Sequence, residues 1–194
     1  MDFDFTDDQE SLRDAVHRWV EKGFGFDRRH ALAKAGGASR AVYTELAELG
    51  LCGLAVPEAH GGLGQGPVDA MVVCEELGRG LVNAPYAAAA LMAPALLLAA
   101  PAALHARCLP GIASGAALVV PALQERATRY RLAHVTARAQ QVNGAWQLDG
   151  TKTLVPAGDE ADAFVVSARI SGADTDTAGI GLFVVEKAAA KTTG

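Results

Sequence analysis

The chain has 194 residues, 51% hydrophobic and 20% charged, with a net charge of −5. That composition supports a packed core and excludes a disordered polyampholyte. The acidic balance, with no basic tract, argues against a nucleic-acid partner. Cys52, Cys74 and Cys108 are three in number and widely spaced; they match neither a disulfide framework nor a zinc spacing and point to a reducing, cytoplasmic setting with no metal site.

The acidic start, Met1-Asp2-Phe3-Asp4-Phe5, lacks the basic and apolar regions of a signal peptide. Thr6 and Gln9 form a capping-box pattern, after which Leu12, Val16, Trp19 and Val20 share one helical face until Gly23 and Gly25. Ser39 is placed to cap a second helix carrying Val42, Leu46 and Leu49 up to Gly50. A third helix is expected from Pro67 to Gly78–Gly80 with Val68, Met71, Val72 and Cys74 inward, followed by helices around Ala84–Ala100 and Pro101–Ala113. Leu81 to Leu104 carries no charge, but Pro85, Pro94, Pro101 and many alanines make it a broken buried helix rather than a membrane span.

Past Ser114-Gly115 the period changes. Short strands are expected at Leu118–Val120, Val135–Ala139, Ala145–Leu148, Thr151–Val155, Phe164–Ala168 and Gly181–Val185, with turns at Asn143-Gly144 and Asp149-Gly150. Ser171 to Gly179, rich in Asp, Thr and Gly, reads as a mobile loop. The fold class is therefore α+β: an all-helical domain over 1–115, then an antiparallel β-domain over 116–194 that looks cut in mid-domain.

Local motifs are sparse. Gly61-Gly62-Leu63-Gly64-Gln65-Gly66 resembles a phosphate-cradling loop but follows no strand and lacks a P-loop lysine, so a flexible connector between helices is favoured. Glu75 and Glu76 point about 100° apart on a helix, which suits a helix-end salt bridge better than acid–base work. The five histidines show no i,i+4 pair, and no nucleophile elbow is present.

Several strings resemble the acyl-CoA dehydrogenase family: Phe3-Asp4-Phe5-Thr6-Asp7-Asp8-Gln9, Leu46-Ala47-Glu48-Leu49-Gly50-Leu51, Val56-Pro57-Glu58-Ala59-His60-Gly61-Gly62-Leu63-Gly64, Glu75-Glu76-Leu77-Gly78-Arg79 and Asn143 through Lys152. The resemblance spans the chain and leans towards the heteromeric enzymes acting on dicarboxylyl-CoA or steroid side-chain CoA thioesters. It implies a helical domain, a middle β-domain and a C-terminal four-helix domain, with the chain ending before the last. The family's catalytic glutamate lies there, so no residue of this chain is assigned as catalytic base.

The departures carry information. Where the family has Thr-Glu-Pro and a Gly/Ser-rich turn ending in Ser-Asp, this chain has Gln124-Glu125-Arg126-Ala127-Thr128-Arg129-Tyr130-Arg131; where the family has Trp-Ile-Thr-Asn-Gly, it has Leu154-Val155-Pro156-Ala157-Gly158. By this resemblance Leu123, Gln124, Leu154 and Pro156 fall at the flavin, and Pro156 offers no N–H to it. Tyr130 stands at the family's phosphate-reaching serine, and the guanidiniums of Arg126, Arg129 and Arg131 are suited to grip pyrophosphate or CoA phosphates, or else are solvated edge-strand charges. Tyr86, Ala90 and Leu91 lie on the helix that floors the family's acyl pocket, where alanines leave room for a bulky acyl group or simply allow close helix packing.

The expectation is a small, non-catalytic subunit of an FAD-dependent acyl-CoA dehydrogenase, supporting a larger subunit that oxidises an acyl-CoA to a 2-enoyl-CoA and passes electrons to an electron-transfer flavoprotein. Two rivals are a competent homo-oligomeric dehydrogenase and a scaffold that contributes nothing to the site.

Overall fold

The computed structural model describes residues 4–37, 40–128 and 130–192. Ser39 and Arg129, singled out above as a cap and a phosphate contact, lie outside the described residues. The chain forms two compact units, Met1–Ala117 and Leu118–Gly194.

In the helical unit, α1 (Asp7–Gly23) opens on the expected capping box: Gln9 N donates to Thr6 Oγ1 at 3.2 Å and Thr6 N to Gln9 Oε1 at 3.1 Å. Val16 and Val20 are its buried face. A helix without a periodic signal follows, α2 (Phe26–Lys34), which buries no side chain. It is attached by arginines: Arg28 pairs with Glu45 and lies 5.1 Å over the Phe24 ring, and Arg29 donates to the Gly80 carbonyl at 3.1 Å. Apolar patterning cannot reveal a helix held this way.

Helix α3 (Arg40–Glu48) buries Val42, Tyr43 and Leu46. Leu49, expected inward, is half-exposed because the helix stops at Glu48 and Gly50 turns the chain at φ 77°. Helix α4 (Pro67–Arg79) packs through Val72, Val73, Glu76 and Leu77, which leaves Val68 and Met71 half-exposed rather than inward. The single helix expected over Ala84–Ala100 is a π-turn, Ala87–Met92, followed by the short α5 (Ala93–Leu98). Pro94 has no N–H to return to the preceding turn, so a wider ring absorbs the register change. Helix α6 (Ala102–Ala113) closes the unit.

The glycine-rich segment is pinned, not flexible. Leu63, Gly64 and Gln65 N–H groups donate to the Gly53, Val56 and Leu54 carbonyls at 2.8–2.9 Å. A Cβ on Gly62 would come within 2.0 Å of the Val56 carbonyl oxygen, so only glycine lets the loop lie this close. No described helix is long and apolar enough to cross a membrane.

The second unit is a five-stranded sheet: β1 (Val119–Ala122), β2 (Arg138–Val142), β3 (Ala145–Asp149), β4 (Ala163–Arg169) and β5 (Ile180–Glu186). Strand β4 is central. It pairs antiparallel with β5 along its whole length, parallel with β1, and parallel with β2 at Arg138↔Arg169. The sheet is thus mixed, not the expected antiparallel one: the chain between β1 and β4 returns to the start of β1, where Asp162 N donates to the Leu118 carbonyl at 2.8 Å, before β4 begins. The hairpin β2–β3 turns at Asn143-Gly144, φ 52° and 80°, as those residues predict. Thr151–Val155 is not a strand. Thr153 N donates to the Gln124 carbonyl at 2.8 Å, and Leu154 adopts φ 53°, which breaks extension.

Candidate functional site

The segment after β1 folds back on itself in successive turns. Thr128 N donates to the Glu125 carbonyl at 3.1 Å, its hydroxyl to the same oxygen at 3.2 Å, and Arg131 N to the Thr128 carbonyl at 3.1 Å. This winding buries Glu125 and Thr128 and turns Arg126, Tyr130 and Arg131 outward, with Tyr130 85% exposed. Opposite runs Thr153–Leu154, with Leu154 81% exposed. Between them lies a cleft of about 450 Å³ lined by Gln124, Glu125, Arg126, Tyr130, Thr153 and Leu154.

The structure therefore brings four of the sequence-derived residues, Gln124, Arg126, Tyr130 and Leu154, to one concavity. Leu123, Pro156 and Arg131 belong to the flanking segments and are not among its lining residues. Tyr86, Ala90 and Leu91 belong to the helical unit. There Tyr86 is buried with its hydroxyl donating to the Leu51 carbonyl at 3.1 Å, Ala90 is fully buried in the π-turn, and Leu91 is half-buried.

Beneath the cleft is a feature that residue-by-residue reading left unused. The Glu125 carboxylate accepts from Thr136 N at 2.9 Å, the Thr136 hydroxyl, Ala137 N at 3.1 Å and Lys152 Nζ at 2.6 Å. Lys152 also donates to Ser167 Oγ at 3.0 Å and the Leu123 carbonyl at 3.4 Å. Burial would raise the Glu125 pKa, but these donors outweigh it and hold the group at about 2. Burial pulls the Lys152 pKa down, and the facing carboxylate only partly restores it. The available signal was that Glu125 alone keeps the family's residue in an otherwise departing string, while Lys152 closes a string that matches it.

Arg169, at the end of β4, is 1% exposed and makes no ion pair with a carboxylate among the described residues. Its guanidinium donates instead to the carbonyls of Val135 (3.2 Å), Ala178 (2.7 Å), Ala133 (2.9 Å), Asp174 (3.0 Å) and Asp176 (3.0 Å). The Ser171–Gly179 loop, expected to be mobile, is fastened by this side chain, by Arg138 on the Gly172 carbonyl and the Asp174 carboxylate, and by Val135 N and Ile170 N on the Asp174 and Gly179 carbonyls. In the helical unit, Glu76 forms the expected helix-end bridge, with Arg79 at 3.0 Å and His17 at 2.9 Å. Burial would raise its pKa, yet those two partners lower it overall.

On the Thr153 side of the cleft and in the segment that follows, part of the backbone is already engaged. The N–H groups of Thr153, Gly158, Glu160 and Ala161 are all turned onto carbonyls of the chain, and Pro156 has none. Polar side chains line the cleft: Gln124, Arg126, Tyr130 and Thr153 around the paired Glu125.

Residues 6–116 match the family model "Acyl-CoA dehydrogenase, N-terminal domain". Over 190 residues the chain is 30% identical to benzylmalonyl-CoA dehydrogenase of Aromatoleum aromaticum, covering 96% of this chain and 49% of that protein. Among solved structures, it superposes on the ChsE4–ChsE5 complex of Mycobacterium tuberculosis with a TM-score of 0.82 and 26% identity, over 96% of this chain and 49% of that one. On a variant of the Tcur3481–Tcur3483 steroid ACAD the TM-score is 0.80 at 28% identity, over 92% and 48%. The chain spans about half the length of these relatives. With its helical domain followed by a mixed β-sheet domain, and more than half of its length inside the family model, the chain belongs to the acyl-CoA dehydrogenase family.

Proposed function

We propose that the chain is a supporting subunit of a heteromeric, FAD-dependent acyl-CoA dehydrogenase, of the small-subunit kind found in pimeloyl-CoA dehydrogenase. A larger partner subunit in the cytoplasm carries the oxidation of an acyl-CoA to a 2-enoyl-CoA, and an electron-transfer flavoprotein takes the electrons. In this reading the helical domain is 1–115 and the β-domain 116–194, Leu123, Gln124, Leu154 and Pro156 are the remnant of a flavin wall, and Tyr86, Ala90 and Leu91 border the acyl group.

The observation that carries the reading is the cleft's donor set. A flavin ring needs flat apolar contact and N–H donors along its N5 and carbonyl edge. Here Pro156 has no N–H, the Thr153 N–H is spent on the Gln124 carbonyl, and free side chains stand at the rim: Arg126, Tyr130 and Arg131 make no intramolecular hydrogen bond or ion pair through their side chains among the described residues. Guanidinium and phenol groups suit phosphate oxygens better than a neutral ring. The ligand chemistry these side chains favour is the pyrophosphate-linked adenosine that CoA and FAD share. The names of two structural relatives, the ChsE4–ChsE5 complex and the Tcur3481–Tcur3483 enzyme, support a two-component assembly.

The test is the visible spectrum of the whole natural chain and of its complex, with flavin counted per subunit. Flavin at half occupancy of the complex, absent from this subunit, is the expected result. One reducible flavin per copy of this chain in its own cleft would overturn the supporting-subunit reading and favour the homo-oligomeric enzyme. Arg126→Ala and Tyr130→Ala are expected to weaken CoA or FAD binding about tenfold or more, since each removes a charge-assisted or hydroxyl contact; unchanged binding and turnover would leave only a scaffold. Titrating CoA and FAD separately tells which of them supplies the pyrophosphate.

A further inference from the structure

We infer that the buried Glu125–Lys152 pair is a positioning device that sets the separation of the two cleft walls and, through it, the affinity of the cleft for its ligand. The inference rests on the reading of the cleft as a phosphate site.

The two walls are sequence neighbours of the pair. Gln124 and Arg126 flank Glu125, and Thr153 and Leu154 follow Lys152. The Lys152 ammonium reaches the Glu125 carboxylate at 2.6 Å, and a backbone bridge between the walls, Thr153 N to the Gln124 carbonyl at 2.8 Å, lies beside it. Neither wall is a strand, so no ladder fixes their spacing. The tether is anchored below to the regular part of the sheet. Ser167, in the middle of β4, holds Lys152 at 3.0 Å, and Thr136 and Ala137, leading into β2, hold Glu125 through N–H donors. Side-chain exposures of 8% for Lys152 and 4% for Glu125 keep water from loosening the contact. Polarity is fixed as well: Glu125 accepts from two backbone N–H groups, so a lysine cannot take its place.

The experiment is a set of CoA and FAD titrations on the whole natural chain in its complex, paired with thermal melts. Lys152→Met is expected to weaken the bound nucleotide at least tenfold and to lower the melting temperature, because it leaves a buried carboxylate without its cation. The double variant Glu125→Gln/Lys152→Met removes that stranded charge, and it is expected to regain the melting temperature but not the affinity. Ser167→Ala, which keeps both charges and frees one Lys152 anchor, is expected to cost about threefold in affinity with little change in melting, a readout available even where the other variants fail to fold. Recovery of affinity and stability together in the double variant, or wild-type affinity in Ser167→Ala, would overturn the positioning role. A wild-type complex that binds neither nucleotide, with Arg126→Ala indistinguishable from it, would overturn the phosphate reading itself and the pair's ligand role with it.

Discussion

The two units of this chain solve the same problem with opposite materials. The helical unit is held by apolar side chains, Val42, Leu46, Leu54, Val72 and Ile112 among them, and keeps its ion pairs towards the rim, where His17 and Arg79 are each more than a third exposed. The sheet unit has a leaner apolar core, in part alanines such as Ala137, Ala139 and Ala168, and holds its irregular segments with buried charge: Glu125, Lys152 and Arg169. Helices satisfy their own backbone, so their contacts can be greasy. The long non-strand stretches 123–137 and 150–162 cannot, and a buried charged group with several donors or acceptors can serve several carbonyls or N–H groups at once.

The sharpest way to break that contrast is Arg169→Met. It keeps the bulk but strands the carbonyls of Ala133, Val135, Asp174, Asp176 and Ala178. The expected loss is about 3–5 kcal/mol, the scale of breaking a buried charged network. Hydrogen exchange is the measurement: protection of β4, β5 and the 171–179 loop should collapse while α1 and α4 stay protected. Uniform loss over both units would show that the sheet does not depend on this side chain separately.

The helical unit has its own irreplaceable point, but a steric one. Gly62→Ala drives a methyl to within 2.0 Å of the Val56 carbonyl oxygen, and backbone rather than a flexible side chain must move. About 2–3 kcal/mol is expected by denaturant unfolding, at the upper end of overpacking costs. Gly61→Ala is the control: its Cβ meets nothing within 4 Å, and the left-handed φ of 82° alone should cost about 1 kcal/mol.

Acid titration sharpens the comparison further. The folded Glu125 pKa of about 2 lies below its unfolded value near 4.5, so its contribution is complete above 4.5 and is lost as pH falls towards 2. Denaturant midpoints measured between pH 6 and pH 2 should fall in that window for the wild type. With Glu125→Gln the starting stability is lower and this part of the fall disappears. A slope equal in both would mean that other carboxylates carry the acid sensitivity.

What was legible in the sequence follows the same division. Thr6 with Gln9 and Asn143-Gly144 were readable because their chemistry is local, a cap and a turn completed within four residues. Val72 lies inside α4 as its pattern predicts, but Val68 and Met71 are as apolar as Val73, and only packing decides which of them join it. Helix α2 was invisible, since its attachments are Arg28 to Glu45 and Arg29 to Gly80, partners remote in sequence. The cleft was half legible: Gln124, Tyr130 and Leu154, the positions that depart from the family, lie on one concavity, whereas the partnership of Glu125 with Lys152 and Ser167 joins three distant positions and needs the fold. Arg169 reads in sequence as an ordinary strand-ending charge, and nothing local announces that it faces inward.

The smallest effect on stability tests the cleft from the other side. Arg126 and Tyr130 are exposed, and their side chains are without intramolecular hydrogen bonds or ion pairs among the described residues, so their replacement by alanine removes no contact that the folded chain depends on. Each should change the unfolding free energy by no more than about 0.5 kcal/mol, the range of surface positions without a structural role. A rim that costs nothing to remove from the free chain, above a floor whose removal costs several-fold more, is the signature of groups kept for something outside the chain. An exposed phenol with so little to hold it is an expense in solubility unless a ligand or partner covers it. If Tyr130→Ala instead destabilised the free chain by 1 kcal/mol or more in denaturant unfolding, the rim would be part of the fold's own packing, and the contrast between a structural floor and a functional rim would fail.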